Sequence, residues 1–104
     1  MAQNRLTAGL RAVHPGEVLR EDVIPALGLS ISSIARHLGV SRQTLHEILA
    51  ARRPITAQMA LRIGKLCGNG PDIWLRLQNS YDLREAEKTI GPALRNIPTL
   101  SAVV

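Results

Sequence analysis

Five residues that can make directional hydrogen bonds crowd one six-residue stretch: Arg42, Gln43, Thr44, His46 and Glu47. The amide of a glutamine matches the donor–acceptor edge of adenine. An arginine fork matches guanine or a phosphate, and a glutamate accepts from a cytosine amino group or disfavours wrong sequences. Arg52 and Arg53 follow closely. They suit phosphate contacts, although a solvated basic loop would look the same. Other chemistry is poorly served. His14, His37 and His46 fall on different segments, and Cys67 sits at an apolar position, so they form no metal-ligand set. No nucleophile is paired with a base at motif spacing, and no phosphate-cradling loop is present. Glu17, Glu21 and Asp22 on an early helix read as solvated partners of its dipole. We therefore expect no enzyme, no metal and no cofactor.

Base reading requires those residues to stand on one exposed helix, held at a steep angle by a second. Ser30 suits an N-cap, and Ile31, Ile34, Ala35 and Leu38 follow the i, i+3, i+4, i+7 rule for one buried face. Gly39 can take the positive φ of a tight turn, and Val40 fills an apolar slot within it. Ser41 caps the next helix, which Leu45, Ile48 and Leu49 pin from inside. Ala35 is small where two such helices nearly touch. This combination predicts a helix-turn-helix over 31–50 rather than an ordinary glycine-turned hairpin, because the outward residues gather at the start of the second helix. That helix would read bases through Arg42, Gln43, Thr44, His46 and Glu47. Phosphates would fall to Ser30, Ser32 and the amides at the head of the first motif helix, to Ser41, to Arg36, and to Arg52 and Arg53.

The remaining elements frame this motif. Residues 1–13 carry no steady period and read as an arm. His14-Pro15-Gly16-Glu17 starts a helix with Leu19 and Val23 inward, disturbed by Pro25 and ended by Gly28. Thr56 caps a helix with Met59, Ala60, Ile63, Leu66 and Cys67 on its inner face. After Gly68-Asn69-Gly70-Pro71, a last helix carries Ile73, Trp74, Leu77 and Tyr81 and runs to about Lys88. Residues 89–104 hold one charge, Arg95, and among their apolar residues Pro92 and Pro98 are expected to interrupt any helix. They read as a tail, disordered or packed on the domain, a second subunit or another protein. The expected fold is all-α, about five helices, phage-repressor-like, with the domain at 14–88. Trp74, Leu75 and Leu77 either close its core or contribute to a dimer face.

Composition agrees. In 104 residues, 13 Lys and Arg oppose 8 Asp and Glu, a net charge of +5. All but Lys65 and Lys88 of those bases are arginine, the better fork for phosphate and guanine. Phe is absent, so the core must be aliphatic. A lone cysteine points to a reducing compartment. Arg5 and Arg11 lead into no long apolar stretch, so neither a signal peptide nor a membrane span is expected, and the cytoplasm fits.

The phrases HPGEVLRED (14–22), LGLSISSIARHLGVSRQTLHEILAARRPITAQMALRIGKLCG (27–68) and PDIWLRLQNSYDLREAEK (71–88) together resemble the HigA (VapI) antitoxin family, over about three quarters of the chain. The HPGE, R-x-I-T-x-x-x-A-L-R and W-L-x-L-Q-x-x-Y-D-L runs are more specific than a bare helix-turn-helix. One departure is Ile31, where the family commonly has Gln at the start of the first motif helix. The resemblance implies a dimeric, five-helix operator-binding antitoxin. It would repress its own operon and neutralise a HigB-type toxin, an mRNA ribonuclease. It also implies base reading by Arg42, Gln43, Thr44 and His46. A stand-alone repressor and a toxin-masking module with little DNA binding are the competing readings. A repressor with a small-molecule ligand would want a separate sensing domain.

Overall fold

In a computed structural model, described here for residues 12–100, the chain forms five helices and no strand among the described residues. The first, α1, is built from three consecutive segments. Pro15–Val18 is α-helical, Leu19–Val23 is a π-helical turn and Ile24–Leu27 is α-helical again. The wide turn is where Pro25 makes itself felt. Proline offers no N–H and its ring crowds the carbonyl four residues back. The chain widens so that the Ile24 N–H reaches the Leu19 carbonyl, and the helix continues instead of breaking. Gly28, at φ 67°, ends it as expected.

Ser30 and Ser41 cap the two motif helices, α2 (Ile31–Leu38) and α3 (Arg42–Leu49), each accepting a backbone N–H three residues on. Gly39 takes φ 74° at the turn between them. Thr56 caps α4 (Ala57–Cys67) in the same way. The inner faces meet as their period demands. Ile34, Ala35 and Leu38 pack with Leu45, Ile48, Leu49, Met59, Ala60, Ile63 and Trp74 in one aliphatic core. Leu66 and Cys67, expected inward, are only half-buried at its margin, as are Val23, Val40 and Leu77. The α1 helix packs on α3 and α5, α2 on α3 and α4, and α4 on α5.

The last helix, α5 (Asp72–Leu94), overruns its expected end near Lys88 and carries Pro92 inside it. The proline falls in the final turn, where little helix lies beyond the lost hydrogen bond. The freed carbonyl is on an exposed stretch and is left to water. Only Trp74 and Gln78 of α5 are fully buried. The expected arm lies almost wholly outside the described residues, as do the last four residues of the expected tail. No helix among the described residues is long and apolar enough to cross a membrane.

Candidate nucleic-acid interface

The first turn of α3 presents its side chains outward because Leu45, Ile48 and Leu49 occupy the opposite face. Leu45 is 1% exposed and Ile48 0%. Arg42, Gln43 and His46 are exposed. Thr44 is half-buried, and its hydroxyl takes a hydrogen bond from Ser41 Oγ at 2.9 Å. Part of the expected base-reading capacity of Thr44 is thus spent on the cap. Glu47 is also half-buried and already engaged. Arg53 Nη2 and Nε donate to its Oε1 at 2.6 and 2.9 Å, and Gln43 Nε2 donates to its Oε2 at 3.3 Å. The Arg53 guanidinium first, then the Gln43 amide, hold the Glu47 carboxyl below the usual carboxylate range.

The phosphate candidates are dispersed around this helix. Ser30 Oγ takes the Ser33 N–H at 3.1 Å at the head of α2, where Ser32 is half-buried and Arg36 is exposed. Ser41 Oγ takes the Thr44 N–H at 3.0 Å at the head of α3. Arg52 and Arg53 are both exposed beyond its C-terminus. Only Arg53 is drawn into the carboxylate clasp; Arg52 acts on Glu47 through space. His37 turns back onto its own helix, Nδ1 lying 2.7 Å from the Ser33 carbonyl oxygen.

The orientation of α3 depends on residues whose partners lie far off in sequence. Arg20 on α1 donates to the Leu49 carbonyl at 3.0 Å, satisfying an orphan acceptor at the end of α3. Arg62 on α4 donates to the Leu38 carbonyl at 2.8 Å, doing the same for α2. Gln78, 4% exposed, accepts the Ile55 N–H at 2.7 Å and donates to Asp82 at 2.9 Å. Buried His14 accepts the Gly16 N–H on Nδ1 at 2.9 Å, capping α1. The Nε2 proton is then left for the Arg53 carbonyl. The ring meets Tyr81 edge-on with centroids 4.9 Å apart. Burial pushes the imidazole pKa down, against weaker pulls from Asp82 and the Arg53 carbonyl. The loop after α3 is therefore bolted to both α1 and α5.

None of these four positioning residues stood out as such in the chain. Two signals were present, a histidine before Pro15 and a glutamine among the leucines of the last helix, but their partners lie 39 and 23 residues away. At Gly16 and Gly64 the backbones touch. A Cβ at Gly16 would overlap the Ile48 carbonyl, and one at Gly64 the Gly70 carbonyl. Among the described residues no group of three or more His, Cys, Asp or Glu could hold a metal ion.

Residues 5–72 match the family described as a helix-turn-helix domain. The chain is 43% identical over 77 residues to virulence-associated protein I of Dichelobacter nodosus, covering 74% of this chain and 71% of that one. Two solved structures superpose closely. Antitoxin GraA in complex with its operator aligns at a TM-score of 0.82 and 38% identity, covering 98% of this chain and all of that one. Antitoxin HigA of Pseudomonas aeruginosa with the higBA promoter aligns at 0.81 and 32% identity, covering 88% and 100%. The two structural neighbours are antitoxins solved with operator or promoter DNA. The chain belongs to the HigA-like family of helix-turn-helix antitoxins.

Proposed function

We propose that this protein is a DNA-binding antitoxin that represses its own operon by placing α3 in the major groove of an operator. The observation that carries this reading is the likeness, over 98% of the chain, to an antitoxin solved on its operator. The exposed start of α3 supports it, with Arg42, Gln43 and His46 as the principal base readers and Thr44 a lesser one. Ser30, Ser32, Arg36, Ser41 and Arg52 are the phosphate candidates around it, with Arg53 a lesser one because Glu47 holds its guanidinium. The protein acts as a homodimer. Leu83, Ile90 and Leu94 recur at i, i+7 and i+11 on the distal half of α5, one exposed stripe beyond the core. A two-fold pair would set two recognition helices about 34 Å apart. The second partner is a HigB-type toxin, a reading that rests on family membership.

Fluorescence anisotropy with the duplex lying just upstream of the coding sequence and a scrambled duplex, at several salt concentrations, tests the DNA reading. Preference for the upstream duplex is expected, with log affinity falling against log salt at a slope of about −5 for six neutralised phosphates. Gln43→Ala should cost about 1–3 kcal/mol on that duplex and little on the scrambled one. Equal, weak binding to both duplexes would shift the function to toxin masking alone.

A further inference from the structure

We propose that Glu47 is a specificity-determining positioning residue, which orients the Gln43 amide and restrains Arg53 from indiscriminate phosphate contact. The proposal rests on the reading that α3 enters the groove. Its geometric basis is the clasp in which one carboxylate receives two hydrogen bonds from Arg53 on one oxygen and one from Gln43 on the other.

Each half of the clasp has a consequence. Gln43 has two amide protons and a carbonyl oxygen. One proton given to Glu47 leaves an outward donor beside an outward acceptor, the pair that complements N7 and N6 of adenine. The clasp thereby selects one of the two flips of the amide before DNA arrives. Arg53 is fixed from both ends. Its carbonyl takes the His14 proton, and the next residue but one is held through the Ile55 N–H by Gln78. Its guanidinium has a neutralising partner in Glu47, so it adds little free positive charge at the groove edge. Arg52, alongside, makes no such hydrogen bond among the described residues and remains the phosphate cation of the loop. Glu47 therefore favours the right sequence by preorganisation and lowers affinity for all sequences by holding a cation.

The test compares wild type with Glu47→Gln and with the double variant Glu47→Gln/Arg53→Gln, on the upstream duplex and the scrambled duplex across a salt series. Circular dichroism first establishes that each variant is folded. Glu47→Gln should bind scrambled DNA more tightly at low salt, with a slope steeper by about 0.9 per protomer as Arg53 gains a phosphate. The preference for the upstream duplex should fall about tenfold as the Gln43 amide loses its orientation. The double variant should return the slope to that of wild type. An unchanged slope and preference in Glu47→Gln overturns the proposal. So does loss of affinity for the upstream duplex alone at constant slope, which would make Glu47 a direct base contact.

A readout on the free protein separates this idea from the DNA reading beneath it. In wild type the Arg53 Nε–H and the Gln43 side-chain amide should give resolved, slowly exchanging NMR signals that collapse in Glu47→Gln. Freely exchanging signals in wild type sink the clasp whatever the DNA does. A wild-type protein with protected signals but no preference for the upstream duplex would instead count against base reading by α3, and against Glu47 as a determinant of specificity.

Discussion

Single residues hold both the strain and the pH sensitivity of this fold. Ala51 follows α3 at φ 60°, the one non-glycine residue at positive φ among those described. It occupies the left-handed position of a Schellman-type ending, in which the Arg52 N–H returns to the Glu47 carbonyl at 2.9 Å. A Cβ is disfavoured there by about 1–2 kcal/mol. Ala51→Gly recovers that strain and loses some to unfolded-chain entropy, so a net gain of about 0.5–1 kcal/mol is expected in urea unfolding. His14 works in the opposite sense. Its cap requires an unprotonated Nδ1, and burial depresses its pKa below the 6.5 of a free imidazole. Below that value the unfolded chain binds a proton that the native state resists, so stability is full above about pH 6.5 and falls as pH drops toward the folded pKa. Melting temperatures measured from pH 7.5 to 5 should fall in wild type. His14→Asn, which can still cap but cannot titrate, should flatten that part of the curve. Parallel curves would remove His14 as the source.

At the scale of elements, the heads of α2, α3 and α4 were legible because a cap is a local event. Ser30, Ser41 and Thr56 each need only a backbone N–H three residues away. Inner faces were legible for a similar reason, since periodicity sorts side chains before any partner is known. Proline was harder to weigh. Pro25 disturbs α1 as expected, through a π turn that keeps the helix continuous, whereas at Pro92 the local rule overstates the break, because the proline falls at the end of the helix. The crossing of α1 over α3 lay beyond any local rule. It depends on Gly16 lying against the Ile48 carbonyl, where a Cβ has no room. Gly16→Ala should cost about 3 kcal/mol or more, because the displaced atom is backbone in a fully buried turn. Chemical denaturation checks this, and a loss under about 1 kcal/mol would mean that α1 can simply slide away.

The whole molecule is asymmetric. A compact core orients α3 at one side, while the distal half of α5 leaves Leu83, Ile90 and Leu94 exposed. The helix spans about 34 Å, more than the core can cover. If this stripe carries the homodimer, Leu94→Glu should give a monomer in analytical ultracentrifugation with far-UV dichroism unchanged. It should also weaken operator binding, since two half-sites would no longer be engaged together. A variant that remains dimeric would place the interface elsewhere.

Residue type and spacing alone determined a good deal: the all-α class, the helix-turn-helix over 31–50 and the outward set on α3. These follow from interactions within about two helical turns, or from patterns that any partner would satisfy, whereas the family rested on the resemblance of three longer phrases. Over the same short range, side-chain pairings that type and spacing do not assign decide what each candidate residue is free to do: Thr44 is tied to Ser41, and Glu47 to Gln43 and Arg53, while Arg42 and His46 are exposed. Tertiary structure decided how α3 is aimed, through Arg20, Arg62, His14 and Gln78. Those bonds close loops of more than twenty residues, and a hydrogen bond between distant residues leaves no periodic trace in the chain.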